Sequence, residues 1–312
     1  MHTTLSPTQI EEVRQALLGS GSDALIDLIF RLNLSLPLNS NATAAIEAAE
    51  RLGWVTQGQG LHLSSLGWLV ADPLREYRLW LDRDRRIHGE RDYALLAPER
   101  YTDKMVLEVG SGFGCNLLSL GMRTQGTFVG IEPMAIYRQF TSLLAEREGA
   151  KVPEVHAGSG ESLPFENNVF DIVLCYSSHQ YMDVRKALLE MARVMRIGGQ
   201  LQIIGGTLNT CGAGLGRQLI DHPSASNLLN GARTMINTLS YQWLGRRIWQ
   251  PSSAFATATP IYPSRNAMYR WIAEAGLKLR DDLTGDVGHE TCFVADKPAL
   301  STPSAHFPHQ VH

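Results

Sequence analysis

Val106-Leu107-Glu108-Val109-Gly110-Ser111-Gly112-Phe113-Gly114-Cys115-Asn116 is the stretch that decides the fold. The apolar segment from Met105 to Val109 predicts a buried parallel strand. Alternating glycines follow, and then a new helical pattern, Asn116-Leu117-Leu118-Ser119-Leu120. Strand, glycine turn and helix in that order make a nucleotide-type site. Glycine lets the backbone approach a ligand closely, and the helix start offers unpaired N–H groups to an anionic group. The dinucleotide fingerprint G-x-G-x-x-G would place its third glycine at Cys115, but the spacing here is G-x-G-x-G.

From Asp103 onward strands and helices alternate. Strands are predicted at Met105–Val109, Thr127–Ile131, Val152–His156, Phe170–Cys175 and Gln200–Ile204. Helices are predicted at Asn116–Arg123, Met134–Glu148 and Val184–Arg196. This alternation implies a parallel sheet covered by helices on both faces, with ligands at the carboxyl ends of the strands. Leu277–Leu283 and Thr291–Ala295 are expected to close the sheet as an antiparallel pair. Glu132 ends the second strand, about 20 residues past the glycine loop, where a carboxylate can accept both ribose hydroxyls.

Preceded by Glu108, the glycine run resembles motif I of the class I S-adenosylmethionine (SAM) dependent methyltransferases. Gly158-Ser159-Gly160-Glu161-Ser162-Leu163-Pro164-Phe165 is similar to the G-D-A-E-x-L-P-F stretch of that family, with Ser159 where Asp is usual. Phe170-Asp171-Ile172-Val173 matches its F-D-x-V strand entry. Arg193 to Gly199 matches R-V-L-r-P-G-G, with Ile197 replacing the proline. The resemblance covers Asp103 to Gly205 and implies an α/β fold with a seven-stranded Rossmann-like sheet. It implies SAM as cofactor and S-adenosylhomocysteine as product. The implied cofactor residues are Glu108, Gly110, Ser111, Gly112, Gly114 and Asn116, then Glu132 and Pro133, then Ser159, Gly160 and Glu161, and finally Tyr176 and Ser177. Met134 can pack on adenine or belong to the core.

The acceptor side begins at Cys175-Tyr176-Ser177-Ser178-His179-Gln180-Tyr181-Met182-Asp183. It lacks the N/D-P-P-Y/F motif of amino-methyltransferases, and no carboxylate precedes Asp183, so no metal is expected. His179–Asp183 resembles the H-D-W-x-D stretch of small-molecule O-methyltransferases, which would make His179 the general base. The alternative is a pocket-lining histidine. Tyr176 is a second catalytic candidate, and Asp221-His222 a third. His289-Glu290 reads as ordinary strand-end residues.

The 312 residues are 44% hydrophobic and carry a net charge of -3, so neither nucleic acid nor an acidic membrane is favoured by bulk charge. Four scattered cysteines form no C-x-x-C pair and fit a reducing cytoplasm. No apolar run is long enough to span a bilayer. At the N-terminus a capped helix from Pro7, a second over Ala24–Leu32 and a third over Asn41–Leu52 precede two short strands, Trp54–Thr56 and Leu61–Leu63. Three helices and a hairpin make a winged-helix pattern. The would-be recognition helix has Glu47 and Glu50 against Arg51, so DNA binding is disfavoured. Residues 1–75 resemble instead the domain that dimerises small-molecule O-methyltransferases and closes their substrate pocket. A further helix from Leu66 is expected to stop at Pro73, with a separate charged helix over Leu74–Leu96 in the connecting segment 76–102. The methyltransferase domain is placed at 103–299, with a helical insertion at 205–262 after the fifth strand. The tail at 300–312, with His306, His309 and His312, is expected to be disordered. Tyr241, Trp243, Trp249, Phe255 and Tyr262 supply core or an apolar acceptor cavity. The function expected is O-methylation of a small molecule in secondary metabolism by a cytoplasmic homodimer. N- or C-methylation, or a SAM-sensing regulator, are the alternatives.

Overall fold

The computed structural model describes residues 4–87, 97–209, 225–249, 259–287 and 290–299. Asp221-His222, Phe255, His289, the histidines of the tail and the end of the Leu74–Leu96 segment lie outside the described residues.

β3 (Lys104–Val109) is the centre of the main sheet. Its neighbours are β4 (Gly126–Ile131), which continues to β5 (Glu154–His156), and β6 (Phe170–Tyr176), which continues to β7 (Met195–Gly205). These five strands are parallel. β10 (Glu290–Asp296) then pairs antiparallel with β7. The buried faces of Val106, Leu107, Val109, Val173, Leu174, Leu201 and Ile203 explain why these segments read as continuous apolar runs. The expected seven positions are present, but the strand predicted over Leu277–Leu283 is split. β8 (Lys278–Leu279) and β9 (Gly285–Val287) both pair with β10, on either side of a turn at Arg280–Thr284.

Helices α5 (Cys115–Arg123), α6 (Ala135–Arg147), α7 (Val184–Val194) and α9 (Arg265–Glu274) cover the sheet, and α8 (Ala225–Leu244) lies in the insertion. Asp183 caps α7 by accepting from the Lys186 N–H, and Ser264 caps α9 through the Ala267 N–H. The Lys297 ammonium closes the other end of α7, donating to the carbonyls of Ala192 and Met195.

At the N-terminus, α1 (Pro7–Leu18) starts with a Ser6/Gln9 capping box. α2 (Ser22–Asn33), α3 (Thr43–Arg51) and the antiparallel hairpin of β1 (Val55–Gly58) and β2 (Gly60–Leu63) follow. The helix predicted to stop at Pro73 does not stop. α4 runs unbroken from Ser65 to Ile87 with Pro73 inside it. Proline removes the hydrogen bond to the Leu69 carbonyl, at about 3 kcal/mol. Val70, Ala71, Leu74, Tyr77 and Trp80 form one buried stripe through that point, and several such side chains at about 1.5–3 kcal/mol each outweigh the break.

These N-terminal elements share one apolar core with α5 and α6, joining Leu17, Ile29 and Leu74 to Leu118, Phe140 and Leu144. Polar contacts fasten the same seam. Arg147 donates to the Leu17 carbonyl, to Ser22 and Asp23, and to the Tyr77 hydroxyl. Tyr77 in turn donates to Glu148.

Candidate functional site

The glycine loop between β3 and α5 turns through three left-handed residues, with φ of 71° at Gly110, 58° at Gly112 and 82° at Gly114. Side chains rarely tolerate that region, which explains the alternating glycines. A Cβ at Gly110 would also overlap the side chain of Ser178. At Gly112 a Cβ would meet nothing nearer than Tyr137 at 3.8 Å, so the middle of the loop is open. Phe113 points the other way. It is buried in the N-terminal core, edge-on to Tyr77 with ring centroids 6.1 Å apart, and ties the loop to α4.

Sheet geometry sets the loop's position. The Gly110 and Ser111 N–H groups donate to the Ile131 carbonyl at 2.8 and 3.0 Å. Glu132, directly after β4, accepts from the Gly112 N–H at 2.9 Å on one oxygen and from the Met134 N–H at 2.8 Å on the other. Burial pushes the Glu132 carboxyl up from its usual range, opposed by those two backbone donors and by Arg138. Each oxygen spends one lone pair on these bonds and keeps another for a ligand hydroxyl. Pro133 is half-buried beside it.

Other predicted cofactor residues divide into two groups. Glu108 and Asn116 are buried and hydrogen-bonded to each other, bracing strand against helix. The Ser111 hydroxyl is buried over Gly130, where any Cβ would overlap it, and has no partner among the described residues. Gly160 is packed under Met182 and Val109, which leave no room for a side chain. Ser159 is half-buried, bridged to Ser162. Glu161 accepts from the Asp183 N–H at 2.7 Å and so fixes the start of α7. The loop, Glu132 and the Ser159–Gly160 turn all lie at the carboxyl edge of β3, β4 and β5. An open glycine cradle, a strand-end carboxylate and an unspent hydroxyl fit a nucleoside-bearing cofactor.

His179 is 1% exposed. Its ring lies against Gly205 at the end of β7, where a Cβ would overlap it. Neither ring nitrogen has a well-aligned partner among the described residues. Burial pushes its pKa down to about 4, opposed by the Gly206 backbone. A neutral imidazole enclosed in this way suits a packing residue better than a general base that must touch the acceptor. Tyr176 is half-buried at the end of β6.

Ser177, expected on the cofactor side, is joined to Glu290, which the sequence presents as an ordinary strand-end residue. Ser177 has a φ of 49°, unusual for a residue with a side chain. Its hydroxyl donates to the Glu290 carboxylate at 2.5 Å, and its N–H to the Ile204 carbonyl at 2.7 Å. The bond reaches from β6 over β7 to β10. It puts a half-buried carboxylate at the carboxyl edge of the sheet, beside the end of β6. Only the antiparallel return of β10, which brings its first residue to that edge, could have signalled this. Among the described residues no three His, Cys, Asp or Glu side chains cluster as a metal site.

The family model described as "Methyltransferase domain" matches residues 107–203. An uncharacterised methyltransferase of Bacillus subtilis, YcgJ, is 31% identical over 126 residues, which is 39% of this chain and 49% of that protein. The demethylmenaquinone methyltransferase of Mycolicibacterium paratuberculosis is 33% identical over 114 residues, 35% of this chain and 49% of that protein. The chain thus spans about half the length of these curated relatives. Among solved structures, geranyl diphosphate C-methyltransferase from Streptomyces coelicolor is similar at 14% identity and a TM-score of 0.47, over 68% of this chain and 81% of that one. Residues 107–203 of this chain are therefore similar to a methyltransferase domain.

Proposed function

We propose that this chain transfers the methyl group of SAM to a small-molecule acceptor, releasing S-adenosylhomocysteine. One observation carries the reading. The Glu132 carboxylate sits beside an open, three-glycine loop, and its two oxygens are aligned by the Gly112 and Met134 N–H groups. That is the geometry for two vicinal ribose hydroxyls. The bound cofactor supplies a methyl carbon already activated by a positive sulfur. The chain's own residues must hold the acceptor in line and keep water out. The N-terminal elements packed on α5 and α6, together with α8, supply the cover. A homodimer through the N-terminal elements belongs to the same proposal.

Oxygen is the leading acceptor atom. Glu290, held by Ser177, is a carboxylate at the acceptor edge that can take a hydroxyl proton as the oxygen attacks. Carbon of a hydroxylated ring is the second reading, favoured by the relative named for demethylmenaquinone. A role in secondary metabolism and a cytoplasmic setting fit this reading.

The test is methyl transfer to phenolic and quinol acceptors by wild type and Glu290→Gln. Turnover should fall by about 10²-fold or more in the variant, while SAM affinity measured by calorimetry is unchanged. Equal turnover would remove Glu290 from the chemistry. Failure of wild type to bind SAM would overturn the proposal itself.

A further inference from the structure

Helix α8 is built inside out. An ordinary surface helix turns its apolar stripe to the core and its polar residues to water. Here Thr234, Asn237, Thr238 and Ser240 are buried, with Tyr241 beside them. Leu228, Leu229, Ile236, Leu239 and Trp243 are exposed, Trp243 at 78%. At 100° per residue those five fall within an arc of about 100°, so they make one stripe. It is about 23 Å long from Leu228 to Trp243. Ile248 and Trp249, just past the helix, extend it.

The inward polar face is not an error of folding, because its groups are satisfied. The Asn237 amide exchanges hydrogen bonds with both backbone groups of Trp249, at 2.8 and 2.9 Å. Thr238 accepts from the Tyr262 N–H and Gln242 from the Ser264 N–H. Tyr241 donates to Asp183 at 2.7 Å and accepts from the Arg185 N–H. The helix is therefore held to the domain by hydrogen bonds, and its apolar residues are left for something else. Soluble monomers rarely leave such a continuous apolar patch to water.

The charges say what covers it. From Ala225 to Trp249 there are three arginines, Arg233, Arg246 and Arg247, and no Asp or Glu, in a chain whose net charge is -3. Arg247 is engaged with the carbonyls of Gln180 and Met182, while Arg233 and Arg246 are exposed. An apolar stripe, tryptophans at one end and flanking arginines without acids are the features of a helix lying in the plane of an anionic bilayer surface. A second copy is the poorer partner. In a two-fold contact this patch would meet itself, setting the arginines of both copies together with no acid from the segment to offset them. We propose that α8, with Ile248 and Trp249, docks this protein on the surface of an anionic membrane. No helix of the described residues is long and apolar enough to cross one, so the contact is a lying-on and not a span. It modifies the expectation that no membrane is involved, and it does not depend on which acceptor is methylated.

The experiment is co-sedimentation of the full chain with phosphatidylcholine vesicles, with and without phosphatidylglycerol. The wild type should bind the anionic vesicles more tightly and be released by salt, and lipids brominated on the acyl chain should quench its tryptophan emission. Arg246→Gln should weaken anionic binding about fivefold and leave neutral binding alone. Leu239→Ser combined with Trp243→Ser should weaken it about tenfold or more. Both positions are exposed, so the variants should melt like the wild type, and quenching in the wild type needs no variant at all. Equal binding to neutral and anionic vesicles, no quenching, or undiminished binding by the double variant would overturn the proposal. So would a concentration-dependent dimer that the double variant abolishes, which would assign the stripe to a second copy.

Discussion

Lowering the pH should destabilise this protein through His179, and removing that imidazole should blunt the effect. The ring is enclosed, with 1% exposure, and burial lowers its pKa from the ordinary imidazole value of about 6.5 to about 4. The sign follows from which state holds the proton. Between the two pKa values the unfolded chain binds a proton that the folded ring refuses, so stability falls as pH falls. Above about pH 6.5 both states are neutral and the group contributes nothing to the slope. The full shift corresponds to about 3 kcal/mol, of which about 2 kcal/mol is lost between pH 7 and pH 5. Other groups titrate in the same window, so the quantity to measure is a double difference. Urea unfolding of wild type and His179→Gln at the two pH values supplies it. Glutamine cannot titrate, and the variant should lose about 2 kcal/mol less than the wild type over that interval. The variant's stability at neutral pH absorbs any packing cost and cancels in the comparison. Equal losses would show that the imidazole titrates at its ordinary pH, hence that water reaches it. The assignment of His179 to packing would then be refuted, and the base role restored.

Three further outcomes test the site and its supports. Glu132→Ala removes the acceptor for two backbone N–H groups and, in the proposed function, for the ribose, and SAM affinity measured by calorimetry should drop about 10–100-fold; unchanged affinity would remove the carboxylate from the site. Gly110→Ala forces a side chain into a φ of 71° and against Ser178, so thermal unfolding should reveal a loss of at least about 1–3 kcal/mol. Tyr241→Phe deletes the hydroxyl shared by Asp183 and the Arg185 N–H. Chemical denaturation should register about 1–3 kcal/mol, and amide exchange in α8 should accelerate if that bond anchors the helix.

Local chemistry made much of the fold legible. A parallel strand buried on both faces needs an unbroken apolar run, so β3, β4, β6 and β7 could be placed from the chain alone. Turns through left-handed backbone need glycine, so Gly110, Gly112 and Gly114 stood out. Glu132 was readable because its distance from the loop is set by one strand–helix–strand unit. Where sequence rules misled, a longer-range interaction had outweighed a local preference. Pro73 ordinarily ends a helix, yet the buried stripe from Val70 to Trp80 carries α4 through it. Histidine ordinarily suggests acid–base work, and the sequence could not show that the end of β7 lies against the His179 ring. Trp243 and Trp249 ordinarily fill a core, yet both are exposed, one on α8 and one just past its end.

The sequence by itself determined the α/β alternation, the glycine loop and the carboxylate at the end of β4. Each is written in residues close together along the chain, and each answers to local backbone sterics or to one supersecondary unit. Only the tertiary structure decided which distant groups meet at the carboxyl edge of the sheet. Ser177 and Glu290 are far apart in sequence and meet because β10 returns antiparallel beside β7. The same holds for the inverted face of α8, since burial is a property of what packs against a helix and cannot be read from the helix's own residues.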